Sequence, residues 1–138
     1  MTSTLVDTNV LIDMLGPASG HRAWSLGALE HCLEDGVLVV NPVIWAELAS
    51  SPLSEAELSS VFGMLALKRE ALPFEAAFAA GKAHRRYRLA GGLRERTLPD
   101  FFIGAHAELS GHRLLTRDGP RYSSYFPTIE LITPETHP

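Results

Sequence analysis

The sequence predicts a single α/β domain built on a mostly parallel sheet of about four strands flanked by helices. Three observations carry that expectation. Short β-rich runs alternate with longer helical patterns along the whole 138 residues. The run Val37-Leu38-Val39-Val40 is apolar at every position, as suits a strand covered on both faces. No repeat, low-complexity tract or linker breaks the alternation, which therefore implies right-handed crossovers within one sheet.

The elements follow in order. Thr4-Leu5-Val6 reads as a short buried strand, and Asp7-Thr8-Asn9 offers capping oxygens to a helix over Val10–Leu15, closed by Gly16-Pro17. A second helix runs from Ala23 to Glu34, with Trp24, Leu26, Leu29, Cys32 and Leu33 as its apolar members, and Asp35-Gly36 stops it before the strand 37–40. Asn41-Pro42 is an N-cap and N1 pair opening a helix through Leu48. Ser54 and Glu57 form a capping-box pattern ahead of the next helix, and 68–73 reads as a connector. Phe74 to Ala90 is a long helix, Ala-rich first and basic later, ended by Gly91-Gly92. Leu98-Pro99-Asp100 opens another, with Phe101, Phe102, Ile103, Ala105, Ala107 and Leu109 on its buried side. Arg113–Thr116 is a third strand, Asp118-Gly119-Pro120 a turn, and Thr128–Ile132 a last strand.

Composition limits the possible functions. A hydrophobic content of 46% is enough for a proper core at this length. The lone Cys32 cannot form an internal disulfide and reads as core, and the N-terminus lacks the basic and apolar regions of a leader. A soluble, cytoplasmic protein with no membrane association is therefore expected. The net charge of −4 opposes simple attraction to polyanions, but Lys82, Arg85, Arg86, Arg88, Arg94 and Arg96 crowd into the stretch 82–96 with Glu95 as the only acid there.

Open parallel sheets bind ligands at the carboxyl ends of their strands, so acids just after strands matter most. Asp7 follows the first strand, and Glu47 lies near the start of the helix after the second. Asp100 sits in the first turn of the helix before the third strand, and Asp118 follows that strand. Each alone is explained by a cap, a turn or a solvated helix face; their joint placement is what points to a site. Carboxylates gathered together repel unless a cation neutralises them, and the cation that suits all-oxygen donors is Mg²⁺ or Mn²⁺, since no His and Cys spacing resembles a zinc site. The implied chemistry is phosphodiester hydrolysis. Thr116 and Asn9 are candidates to orient a carboxylate or water. Asp13 and Glu70 are among the acids expected on solvated faces, in caps or in turns. His84 could touch phosphate, His106 is expected to pack or cap within its helix, and Trp45 reads as core or dimer contact.

At this point the chain resembles the PIN domains, and within them the VapC-type toxins of toxin–antitoxin pairs. The resemblance lies in Val6-Asp7-Thr8-Asn9-Val10-Leu11-Ile12, Trp45-Ala46-Glu47-Leu48, the run 98–107 beginning Leu98-Pro99-Asp100, Leu114-Leu115-Thr116-Arg117-Asp118, and the run 125–132 beginning Tyr125-Phe126-Pro127. It implies a three-layer PIN-like fold over 1–138 and a Mg²⁺- or Mn²⁺-dependent endoribonuclease. It also implies a homodimer held inactive by a cognate antitoxin whose tail enters the acidic groove. Asp7, Glu47 and Asp100 match the characteristic acids and metal ligands, Asp118 the more variable fourth, Thr116 the hydroxyl position and Asn9 the early amide. A haloacid-dehalogenase-like phosphatase would need an acid where Asn9 stands. A response-regulator receiver would need an acid after the middle strand, where Asn41-Pro42 stands. The alternative from another class is a catalytically silent PIN fold that only binds RNA or an antitoxin.

Overall fold

A computed structural model describes residues 2–15 and 20–138. The expected helix stop at Gly16-Pro17 lies outside the described residues. Five strands form one sheet: β1 (Thr2–Val6), β2 (Gly36–Val40), β3 (Lys68–Arg69), β4 (Arg113–Leu115) and β5 (Leu131–Ile132). Their order is β3-β2-β1-β4-β5, and every neighbouring pair is parallel. The chain therefore winds outward from β1 through β2 to β3, then crosses back to β4 and β5 on the other side of β1. With right-handed crossovers, this reversal places successive helices on opposite faces and opens a crevice between the carboxyl ends of β1 and β4.

The helices are α1 (Thr8–Leu15), α2 (Arg22–Asp35), α3 (Pro42–Ala49), α4 (Glu55–Gly63), α5 (Phe74–Leu89), α6 (Leu98–Ser110) and α7 (Pro120–Ser123). Capping chemistry sets several starts as the sequence predicts. The Asn41 side chain accepts from Ile44 N ahead of Pro42, and Ser54 and Glu57 complete a capping box. Gly111 ends α6 in the left-handed region at φ 69°, a conformation that glycine adopts without a Cβ penalty. The central strands bury Leu5, Val6, Leu38, Val39, Val40, Leu114 and Leu115, which form one core with Cys32, Ile44, Leu48, Ile103 and Tyr122. α2 packs on β1 and β2, whereas α6 packs on β4 and α5.

Four expectations need correction. The connector 68–73 contains β3, which adds a fifth strand: Val39 and Val40 pair with Lys68 and Arg69, and Glu70 N donates to Val40 O. A two-residue edge strand is too short to show a period. The last strand shrinks to Leu131–Ile132, because only those residues face β4. The turn at Asp118-Gly119-Pro120 leads directly into α7, where Pro120 supplies a fixed φ at the first helical position. Leu109, expected on the buried side of α6, is 53% exposed, as are Leu26 and Leu33 of α2 to a lesser degree. Trp45 packs inside its own fold, edge-on to Phe62 with the Arg69 guanidinium 4.5 Å from its ring. No described helix is long and apolar enough to cross a membrane.

Candidate active site

The β1–β4 register puts Val6 opposite Leu115, so Asp7 emerges beside Thr116 at the carboxyl edge of the sheet. Asp7 N donates to Leu115 O and extends the ladder by one bond. The Asp7 carboxylate is only 3% exposed. Its Oδ2 accepts from Thr116 Oγ1 and Tyr122 OH, each at 2.8 Å, and from Asn9 Nδ2 at 3.4 Å, while Oδ1 accepts from Thr8 N at 2.8 Å. Burial nonetheless raises the Asp7 pKa, outweighing these hydrogen bonds and the nearby Arg121 charge. The Tyr122 phenol, also buried and facing Asp7, is pushed well above its ordinary value.

Asn9 links the two sequence segments that flank the crevice. Its Nδ2 also donates to Thr116 Oγ1, and its Oδ1 accepts from Arg117 N at 3.2 Å. Glu47 is reached through Thr8, whose hydroxyl donates to Glu47 Oε1 at 2.7 Å.

Asp100 and Asp118 meet on a shared cation. Asp100 uses Oδ2 to accept from Thr97 N and Thr97 Oγ1, closing the capping box of α6. Its Oδ1 accepts from Arg121 Nη1 at 3.4 Å, and Arg121 Nε lies 3.1 Å from Asp118 Oδ2. The attraction of Asp100 and Asp118 outweighs the burial that would lower the Arg121 pKa, and the guanidinium is held above its ordinary range. The structure therefore joins Asp7, Asn9 and Thr116 directly, bridges Asp100 and Asp118 through Arg121, and ties Glu47 in through Thr8. Arg121 and Tyr122 were missed at the sequence level. A signal was present in the i, i+4 pair Tyr122–Phe126, a helical spacing of two aromatics between the expected turn at 118–120 and the expected last strand.

Asp13 and Glu70, expected on solvated faces, in caps or in turns, are held by distant partners instead. Asp13 is 8% exposed and accepts from Ser25 Oγ and from Arg117 Nη2 at 3.0 Å, which pins the β4–α7 turn onto α1 and α2. Glu70 Oε1 accepts from His106 Nε2 at 2.8 Å and His112 Nε2 at 2.7 Å. Among the described residues, Glu70, His106 and His112 are the His, Cys, Asp or Glu group whose potential ligand atoms all lie within 4.8 Å, a set capable of chelating a divalent ion. Asn41 sets the protonation within this group. Its Oδ1 is committed to Ile44 N, so Nδ2 faces His106 Nδ1 at 3.0 Å as a donor. His106 Nδ1 then accepts and Nε2 carries the proton toward Glu70, the tautomer of a hydrogen-bonded clasp; metal ligation through Nε2 requires reversing the Asn41 amide. His106 is buried in α6, as expected of a packing histidine, and His84 sits edge-on to Phe101 at 5.3 Å.

The clasp gives a pH prediction. Burial lowers the His106 pKa below its ordinary 6.5 by more than Glu70 raises it. For Glu70, burial raises the carboxyl, but hydrogen bonds from His112 and His106 outweigh it and hold it below 4.5. Both folded-state values are depressed, so each group's contribution is complete above its unfolded value and lost as pH falls, first His106 below 6.5 and then Glu70 below 4.5. Thermal melts of the wild type are expected to fall between about pH 7.5 and pH 5, and His106→Gln to fall less over that interval. Parallel curves for the two would remove His106 as the source.

An open, all-parallel doubly wound sheet with acids, hydroxyls and an arginine at its switch point defines an α/β protein of the class whose ligand sites generally lie at the strand ends. Within that class the chain belongs to the PIN domain family, whose model matches residues 4–120. No curated protein matches the sequence. Among solved structures, the chain is similar to one in VapBC2 from Rickettsia felis bound to a DNA fragment from their promoter, at 16% identity and TM-score 0.71, covering 96% of this chain and 98% of that one. It is similar to one in FitAcB from Neisseria gonorrhoeae at 20% identity and TM-score 0.69, with 96% and 98% covered. A toxin–antitoxin complex from Klebsiella pneumoniae matches at 22% identity and TM-score 0.67, with 95% and 97% covered. These likenesses establish the PIN fold.

Proposed function

We propose that this chain is a metal-dependent endoribonuclease and the toxin half of a type II toxin–antitoxin pair, acting in the cytoplasm as a homodimer restrained by its antitoxin. The observation that carries the reading is the single guanidinium shared by Asp100 and Asp118, beside the buried Asp7. Two acids from separate elements, Asp100 of α6 and Asp118 after β4, are paired with one guanidinium, whose charge also reaches Asp7. Membership of the PIN family and the likeness to VapBC, FitAcB and a toxin–antitoxin complex support the same reading.

The donor set fits the implied ion. Asp7, Glu47, Asp100 and Asp118 offer carboxylate oxygens only, the preference of Mg²⁺ or Mn²⁺. Asp7, Glu47, Asp100 and Asp118 would hold such an ion, and its chemistry would be Lewis acidity toward water and toward the oxygens on which charge builds during phosphodiester hydrolysis. The chain's own groups prepare the site. Thr116, Tyr122 and Asn9 hold Asp7 Oδ2 and fix the carboxylate plane, while Thr8 orients Glu47. The exposed Lys82, Arg85, Arg86 and Arg88 on the second half of α5 present positive charge to an RNA backbone.

Purified chain, free of antitoxin, is expected to cut single-stranded RNA in Mg²⁺ or Mn²⁺, to stop when the ion is chelated, and to resume when it is restored. RNA binding with no cleavage under any of these conditions would leave the catalytically silent PIN fold as the better description.

A further inference from the structure

We propose that Arg121 is a built-in counter-cation of the acidic site, which neutralises Asp100 and Asp118 in the cation-free chain and must be displaced before a divalent ion binds. This inference rests on the reading of Asp100 and Asp118 as metal ligands and adds a regulation of that site.

The argument is one of committed lone pairs. Asp100 Oδ2 is engaged by Thr97 N and Oγ1, which start α6, so Oδ1 is the oxygen free of the fold, and Arg121 Nη1 holds it. Asp118 repeats the pattern. Its Oδ1 accepts from Arg121 N, and its Oδ2 faces Arg121 Nε. An incoming ion that uses the side-chain oxygens least engaged by the backbone meets the same two that the guanidinium occupies. Ion and guanidinium also repel each other, so the two states exclude one another.

The geometry allows that exchange without unfolding. Tyr122, the next residue, is fully buried and donates to Asp7 Oδ2, which pins α7 to the sheet edge. The Arg121 side chain is 35% exposed, so it can leave by side-chain rotation toward solvent while its backbone stays in place. The Asp13–Arg117 pair holds the preceding turn in the same way. A second role for the arginine, holding the two acids at the right separation for the ion, predicts the opposite sign, and that contrast makes the inference testable.

The experiment is a Mn²⁺ titration of the full chain, read by the electron paramagnetic resonance of free Mn²⁺, for wild type, Arg121→Met, Arg121→Lys and Asp100→Asn. Arg121→Met is expected to bind Mn²⁺ about ten-fold tighter than wild type, the size expected from losing partly exposed charge pairs as competitors. Arg121→Lys, which keeps the charge but loses the planar fork, should fall between the two. Mn²⁺ should also raise the melting temperature of Arg121→Met by more than it raises that of wild type. Unchanged or weaker binding by Arg121→Met, with Asp100→Asn still losing the ion, overturns the counter-cation role and leaves the metal site standing. If Arg121→Met fails to fold, the Lys variant decides by the same sign. Wild-type binding by Asp100→Asn removes the metal site itself, and the inference with it.

Discussion

Asp7→Asn is expected to reduce metal-dependent RNA cleavage by about a hundred-fold or more, the scale on which loss of one group that stabilises reaction charge is felt, while leaving the fold intact. The two effects separate because of the way Asp7 is held. Its carboxylate receives hydrogen bonds from Thr8 N, Thr116 Oγ1, Tyr122 OH and Asn9 Nδ2. An asparagine can turn its oxygen toward Thr116 and Tyr122 but then faces Thr8 N with a second donor, a mismatch worth about 1–3 kcal/mol. Against this, the pKa of Asp7 is raised because its charge is buried, so a neutral amide relieves part of that penalty. Cleavage assays and thermal melts on the same preparation check both halves. Wild-type cleavage would remove Asp7 from the reaction, whereas a collapse of the melting temperature would make its role structural.

Gly104→Val is expected to destabilise the chain by about 3 kcal/mol, at the upper end of ordinary overpacking, or about 10 °C in melting temperature for a domain of this size. A Cβ at position 104 would lie 2.4 Å from Cδ2 and Cε2 of Phe126. That ring cannot move away freely, because it packs edge-on to Phe101 at 6.1 Å, and Phe101 packs in turn on Tyr87 and Tyr125. Gly104→Ala should cost less, since the gain in helix propensity of about 1 kcal/mol offsets part of the clash. The seam matters for the site as well. α6 begins with Asp100, and Phe126 closes the segment that carries Arg121 and Tyr122, so widening the seam moves Asp100 away from its partner. Denaturant unfolding of both variants measures the effect, and a Val variant as stable as wild type would show that the seam yields without cost.

Residues whose placement follows from local position were legible before any coordinates. Asp7 and Thr116 follow or end strands, Asn41 and Asp100 sit at helix starts, and the alternation of strands and helices implies a parallel sheet with strand-end chemistry. Residues whose role depends on a distant partner were not. Glu70 is an ordinary surface acid in sequence and becomes a half-buried acceptor only through His106 and His112, 36 and 42 positions away. Asp13 meets Arg117 across 104 positions.

Chain order alone set the types of the longer elements, most caps and the list of acids, because propensity, capping and hydrophobic period act over a few residues. Folding in three dimensions decided which acids share a partner, that β3 exists at all, and that a guanidinium and a phenol from one short helix contact Asp100, Asp118 and Asp7. Side-chain contacts across the β1–β4 crevice depend on strand order and register, and no local pattern encodes either one. Asp100 and Asp118 become neighbours of one cation only when α6, β4 and α7 have packed.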